Sequence, residues 1–279
     1  MRQAQLAKSK SKNRPLVRHT INLSENVMAS PSSLTSVYDV RFFAYASNMS
    51  PKSARVIVPI ILDLLPDVAS VVDFGCAHGV WLKCWMENGI EDVQGVDGEY
   101  VNSTALKIPP EKFSAKDLND PIDLGRRFDL TYSFEVAEHL RPENSKRFVE
   151  SLTRHADLVL FSAAPPGQGG ESHINEQPFD IWRALFQAQG YAAYDCVRPR
   201  IAHLDEIAFW YRYNIMLYAH HSLEADLPAA IRATKIAYDR PIPDISPPLF
   251  KLRKLIINLL PSGLQNELAR IKASISSRR

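Results

Sequence analysis

This chain has few cysteines, no long apolar run and almost no net charge. Its three cysteines, Cys76, Cys84 and Cys196, fall at no metal-type or disulfide-type spacing among 279 residues. That excludes a stapled secreted scaffold and a cysteine zinc site, and points to a reducing cytoplasm. No uninterrupted apolar stretch reaches bilayer-spanning length. The N-terminus has lysines and arginines but no apolar core, so it is not a secretory signal. A formal net charge of +2 creates no overall field that demands nucleic acid, and no such partner is expected. There is no internal repeat. What is present is a globular composition, 46% hydrophobic and 23% charged, in a chain long enough to bury a full core.

Residues 1–36 are polar, with Lys8, Lys10, Lys12, Arg14 and Arg18 repelling one another. They are expected to form a disordered basic lead-in. Residues 37–222 form the expected domain. Residues 223–248 carry Pro228, Pro241, Pro243, Pro247 and Pro248 and are expected to be a linker. In 249–279, Leu252, Leu255, Ile256, Leu259 and Leu260 recur at helical spacing among basic residues, which predicts a basic amphipathic tail. Such a tail suits peripheral contact with an anionic inner-membrane surface; packing against the core or a second subunit is the competing expectation.

Within the domain, the apolar spacing predicts helices over 53–65, 79–88, 143–155 and 179–189. Apolar runs predict strands over 69–74, 92–96, 112–115, 128–134, 158–163, 192–197 and 214–219. Strands alternating with helices predict an α/β fold, a mostly parallel sheet covered on both faces.

Two runs stand out. Val71-Val72-Asp73-Phe74-Gly75-Cys76-Ala77-His78-Gly79 is an apolar strand that ends in an acid, turns through glycines and enters a helix. About twenty residues later, Gly95-Val96-Asp97-Gly98 ends a second strand in another acid. This is a nucleotide-binding strand–turn–helix–strand pattern, with Asp97 placed to accept hydrogen bonds from ribose hydroxyls. A dehydrogenase fingerprint has a different glycine spacing and lacks the acid before the turn.

These runs, together with Phe128–Leu140, Phe161–Gly170, His173–Gln177 and Trp210-Tyr211-Arg212, resemble a class I S-adenosylmethionine-dependent methyltransferase. The resemblance is to a bacterial group associated with polysaccharide assembly. It implies a Rossmann-like, doubly wound sheet, mostly parallel with an antiparallel last strand. It also implies that Asp73, Gly75, Cys76 and Gly79 hold the methionine end of the cofactor. Asp97 and Gly98 would take the ribose, Asp117 and Leu118 would border the adenine, and Ser133 would lie beside the methionine portion. Ala77 departs from the pattern, which has glycine there, and His78 replaces a smaller polar residue.

Glu135-x-x-Glu138-His139 follows the fourth strand. If that segment is helical, positions i, i+3 and i+4 share a face. The segment resembles the Glu-x-x-Glu-His of two metal-dependent O-methyltransferase groups, acting in ubiquinone synthesis and on small-RNA 3′ ends. That resemblance makes Glu135, Glu138, His139 and His173 candidate ligands for Mg²⁺ or Mn²⁺. A metal-free reading, with His139 as general base oriented by a glutamate, stays open. So does a purely structural role. Residues 165–177 are expected to form a glycine-rich lid, with Asn175, Glu176 and Gln177 offering hydrogen bonds to a polyhydroxyl acceptor. Trp210, Tyr211 and Arg212 are candidates for stacking on a sugar and pairing with a phosphate.

The expected activity is methyl transfer from S-adenosylmethionine to an oxygen, with His139, Glu138 and Glu135 as the catalytic candidates. The acceptor class expected from the resemblance is a sugar hydroxyl on a nucleotide sugar or glycan. A small phenolic or quinone precursor is the alternative, and a non-catalytic cofactor-binding module is the alternative from outside enzymology. An RNA acceptor is disfavoured because the domain lacks a basic stripe.

Overall fold

The computed structural model describes residues 40–261 together with 264 and 267. The expected lead-in and most of the expected tail therefore lie outside the described residues. Helix α1 (Val40–Leu64) runs into β1 (Ser70–Phe74), α2 (Val80–Glu87), β2 (Asp92–Asp97), β3 (Phe113–Ala115) and β4 (Leu130–Phe134). Helix α3 (Ser145–His155), β5 (Leu158–Ser162), α4 (Phe179–Gln187) and β6 (Tyr191–Tyr194) follow. The short helices α5 (Arg198–Ile201) and α6 (Phe209–Asn214) precede β7 (Met216–His220), and α7 (Ala229–Arg232) and α8 (Pro248–Asn258) end the described chain.

The sheet order is β3-β2-β1-β4-β5-β7-β6. The first five strands are mutually parallel, and β7 runs antiparallel to both β5 and β6. This is the α/β sheet of Rossmann-like methyltransferases. Strand residues alternate between two cores, as burial on both faces requires. Val71, Leu130, Tyr132 and Leu160 face a core shared with Ile57, Ile61 and Trp85 of α1 and α2. Val72, Phe74, Val159 and Phe161 face another, shared with Phe148 of α3 and Trp182 and Phe186 of α4.

Helix α1 is longer than its apolar spacing predicted; it begins at Val40 and carries Pro51 and Pro59 inside it. The expected linker is packed into the domain. Leu227, Ile231 and Ile242 are buried, and the Ile236 amide donates to the Ala193 carbonyl at 2.9 Å. Buried Arg198 donates to the Pro243 carbonyl at 3.0 Å and pairs with Asp195. The prolines here shape a strap along β6, because its apolar side chains find a core to enter. Among the described residues, no helix is long and apolar enough to cross a membrane.

Candidate active site

Parallel strands β1, β2, β4 and β5 all point their carboxyl ends at one edge of the sheet, where open α/β folds bind ligands. The turn after β1 is built for close approach. Gly75 has φ +94°, and a Cβ there would meet Val136 Cγ2 at 2.3 Å. Gly79 has φ +77°, a conformation that L side chains rarely adopt. Ala77 also takes a left-handed φ, 46°, where glycine carries no penalty. It is held there by Asp97, whose Oδ2 accepts the Ala77 N–H at 2.7 Å.

Asp97 Oδ1 accepts from the Gly98 N–H at 2.7 Å and from the Tyr100 hydroxyl. The Tyr100 hydroxyl thus lies on the carboxylate expected to take ribose, a feature with no signal in the sequence. Asp73 and Asp97 are both almost fully buried. Burial pushes the Asp73 carboxyl well above the usual carboxylate range, and the Asp97 charge adds to it, while the Tyr132 hydroxyl offsets part. Burial also raises Asp97, against the Tyr100, Ala77 and Gly98 hydrogen bonds that lower it. Burial, then the charges of Asp73 and Asp97, raise the Cys76 thiol well above its ordinary value. Ser133 is fully buried, and its hydroxyl has no hydrogen-bond partner among the described residues. Two buried acids whose pKa values burial raises, and an unsatisfied hydroxyl on the next strand, suit a ligand that brings positive charge and acceptor groups.

Asp117 is exposed just beyond β3, and its Oδ1 accepts from the Asn119 backbone N–H at 2.9 Å and side chain at 3.0 Å. The adjacent Leu118 is buried.

The Glu135–His139 segment differs from the expected helix. Glu135 has φ 56°, and only Ala137–His139 form a single tight helical turn. The three side chains therefore do not share a helix face. Glu135 turns away into a clasp of two amides, Gln168 Nε2 at 2.7 Å and Asn214 Nδ2 at 3.1 Å. Asn214 also donates to Gln168 Oε1 at 2.8 Å, closing the triangle.

Glu138, His139 and His173 do come together, each offering a ligand atom within 4.8 Å of the others. Glu138 is fully buried, and neither carboxylate oxygen has a hydrogen-bond partner among the described residues. Burial, then the Glu135 charge, hold its pKa well above the carboxylate range. Burial, then His173, push the His139 pKa down to about 3. Each imidazole is tied at Nδ1, His139 to the Ser172 carbonyl at 3.3 Å and His173 to Glu176 Oε1 at 2.8 Å. An Nδ1–H donated to these acceptors fixes the tautomer in which Nε2 is the ligand atom, the arrangement that orients metal-bound histidines. Gly170 makes the room: a Cβ there would lie 2.1 Å from His173 Nε2. An orphaned buried carboxylate beside two oriented imidazoles fits a divalent ion.

The glycine-rich loop roofs this cluster, and its polar residues hold it shut. Glu176 accepts from the Gly167 and Gly169 amides at 2.7 and 2.8 Å. Asn175 donates to the Ala137 carbonyl at 3.0 Å and Ser145 Oγ at 2.9 Å, while Gln177 donates to Asn175 Oδ1 at 3.0 Å. The Ile174 and Asn175 amides both donate to the Glu138 carbonyl. These side chains, expected to meet an acceptor, are spent on the loop itself. Trp210, Tyr211 and Arg212 lie on α6. Tyr211 is buried against Trp81 and Phe134, and Arg212 pairs with Asp205 at 2.6 Å. Asn214 and Gln168 escaped sequence reasoning because lone amides carry no motif, whereas the Gly167-Gln168-Gly169-Gly170 run did mark the loop.

The profile of a family described as a methyltransferase domain matches residues 45–195. Among solved structures, the chain is similar to the sugar N-methyltransferase KedS8 from Streptoalloteichus sp. ATCC 53650. Identity is 17%, with 72% of this chain and 99% of that one covered, at a TM-score of 0.52. It is also similar to DesVI from Streptomyces venezuelae, at 16% identity, 66% and 97% coverage and a TM-score of 0.49. A third similar structure is magnesium protoporphyrin IX methyltransferase (ChlM) from Synechocystis PCC 6803 with bound S-adenosylhomocysteine. There the identity is 17%, the coverage 64% and 93%, and the TM-score 0.47. No curated protein matches the chain in sequence.

Proposed function

The chain belongs to the methyltransferase domain family and is a class I enzyme dependent on S-adenosylmethionine; from that premise we propose that it methylates a hydroxyl oxygen. The observation that carries the proposal is Glu138, buried with both oxygens unsatisfied beside His139 and His173. These three side chains would hold a divalent cation, Mn²⁺ or Mg²⁺, which lowers the pKa of a hydroxyl bound to it. The methyl of S-adenosylmethionine is already activated by its sulfonium. The protein therefore has to align the acceptor with it and take up a proton.

Asp73 and the Gly75–Gly79 turn would hold the cofactor's amino-acid end, Asp97 its ribose, and Ser133 the methionine portion. Asp117 and Leu118 would border the adenine. Glu135, clasped by Gln168 and Asn214, would brace the roof loop against α6 rather than join the cation's ligands. The loop over residues 165–177 would cover the cluster once an acceptor is seated. The metal-free alternative is weakened by His139 itself, because an imidazole whose pKa lies at about 3 retains a proton poorly at neutral pH.

A sugar hydroxyl on a nucleotide sugar or glycan is the acceptor we favour, in line with the resemblance to polysaccharide-associated enzymes and with the sugar substrate in the name of KedS8. The test is transfer of a labelled methyl group from S-adenosylmethionine by chelator-treated protein. Nucleotide sugars and catechols serve as acceptors, with Mn²⁺, Mg²⁺ or EDTA. Sugar O-methylation that requires a divalent ion supports the proposal. Full activity in EDTA removes the metal from it. Transfer to catechols alone selects the phenolic alternative, and cofactor binding without any transfer selects the non-catalytic one.

A further inference from the structure

Helix α8 has two faces in opposite surroundings. Toward the domain, Phe250 packs on Phe209 and Tyr213, with ring centroids 5.1 and 6.0 Å apart. Arg253 Nη1 donates to the Gln168 carbonyl at 2.8 Å, and Lys254 Nζ donates to Asp244 Oδ2 at 2.5 Å. The Lys254 carbonyl presses so closely on the loop that a Cβ at Gly167 would lie 2.0 Å from it. This face is clamped onto the roof of the site at Gln168, a member of the Glu135 clasp.

The other face is bare. Leu249 is 80% exposed, Leu252 53%, Ile256 51% and Leu259 77%, and the spacing of three, four and three residues sets them in one stripe. Leu255 lies beside it, 60% exposed. Six of the ten exposed large hydrophobic residues in the described chain fall between Leu249 and Leu264. A stripe this concentrated marks a contact surface rather than scattered surface leucines.

Charge decides between occupants. From Pro248 onward the sequence has seven Lys and Arg residues and one acid, Glu267; Arg253 and Lys254 are spent on the inner face, which leaves Lys251 on α8 and Arg270, Lys272, Arg278 and Arg279 beyond it. Helix α8 itself contains no acid, and Lys251 is exposed beside the stripe. A second copy would set this stripe against its own like charges with no acid on either helix to pair with them. An anionic lipid surface offers an apolar boundary for the leucines and negative headgroups for the lysines and arginines.

We propose that α8 is an interfacial helix, seating its leucine stripe in the surface of an anionic bilayer while its inner face holds the active-site roof. An acceptor carried at that surface would then lie beside the mouth of the site. The proposal is independent of which acceptor is methylated.

The full-length chain is to be sedimented with vesicles of phosphatidylcholine alone or mixed with phosphatidylglycerol. The wild type is compared with a Leu252→Ser/Leu259→Ser variant and with Lys251→Glu. Binding of S-adenosylhomocysteine shows that each variant is folded. The wild type is expected to partition at least about tenfold more into anionic than into neutral vesicles, and less as salt rises. The double serine variant is expected to lose about tenfold or more of that partition, and Lys251→Glu to lose the anionic preference in part. Equal partition of wild type and double variant overturns the proposal, as does absence of the wild type from vesicle pellets. A wild-type dimer in analytical ultracentrifugation that the serines dissolve, without vesicle binding, also overturns it and assigns the stripe to a second copy.

Discussion

Gly170→Ala is the sharpest single test of the candidate cation site. Gly170 lies outside the left-handed region, so alanine fits its backbone. The added Cβ would stand 2.1 Å from His173 Nε2, 2.4 Å from Cε1 and 2.6 Å from Cδ2. Ordinary van der Waals contact begins at 3.4 Å, so the ring must retreat by about 1.3 Å. It cannot do so freely. Its Nδ1 is tied to Glu176 at 2.8 Å, and Glu176 also holds the Gly167 and Gly169 amides. Metal ligation tolerates displacements of only about 0.2 Å, so His173 is lost as a ligand or is badly aimed. The expected penalty is about 10- to 100-fold in cation affinity, or about 1.4–2.7 kcal/mol. Calorimetric titration of Mn²⁺ into chelator-treated wild type and variant reads it directly, and S-adenosylhomocysteine titration serves as the folding control. Equal Mn²⁺ affinity in the two proteins, with both folded, would refute the assignment of His173.

The cofactor carboxylate and the loop offer further tests. Asp97→Ala should weaken S-adenosylhomocysteine by about 100-fold, the loss of two hydrogen bonds to a charged acceptor, and calorimetry showing unchanged affinity would remove Asp97 from the ribose site. Tyr100→Phe removes the hydroxyl that now sits on Asp97 and should tighten the same ligand by up to about tenfold; weaker binding would mean that Tyr100 assists the cofactor instead. Asn175→Ala leaves buried loop partners unmet and should lower stability by about 1–3 kcal/mol, read as a lower Tm, and an unchanged Tm would show that the loop is held by other means. Burial raises Asp73 and Asp97 in the folded state, so the native protein binds more protons than the unfolded chain between their ordinary value of 3.8 and the raised folded value. Their contribution therefore destabilises the ligand-free protein as pH rises through that window, is absent below it and is complete above it. A ligand ammonium relieves the penalty, so the Tm gain from S-adenosylhomocysteine should grow as pH rises above the ordinary carboxylate value of 3.8, and a constant gain in thermal melts would contradict the reading.

Much of the fold was legible because its signals are local. The runs that carry Asp73 and Asp97 are apolar strands that give way to glycine-containing turns, and the structure ends β1 at Phe74 and β2 at Asp97. Gly89 and Gly190, both in the left-handed region, follow directly on the helices predicted over 79–88 and 179–189. The prolines of 223–248 were misleading. They break helices, but they leave Ile231 and Ile242 free to enter the core once β6 and α4 are beside them.

By itself the sequence determined the alternation of strands and helices and the glycine turn after β1, since each follows from periodicity and from glycines within a few residues. It also marked Glu138 and His139 as neighbours. Only the tertiary structure decided which side chains share the cluster. Glu135, three residues from Glu138, leaves it through a left-handed turn for Gln168 and Asn214, which are 33 and 79 residues away. His173 enters it across the sheet edge, in space that Gly170 leaves open. Helix α8 closes over the loop through Arg253 and Gln168, 85 residues apart. Contacts of that span carry no periodic trace along the chain, because they are set by how the two faces of the sheet pack and by where its strands end.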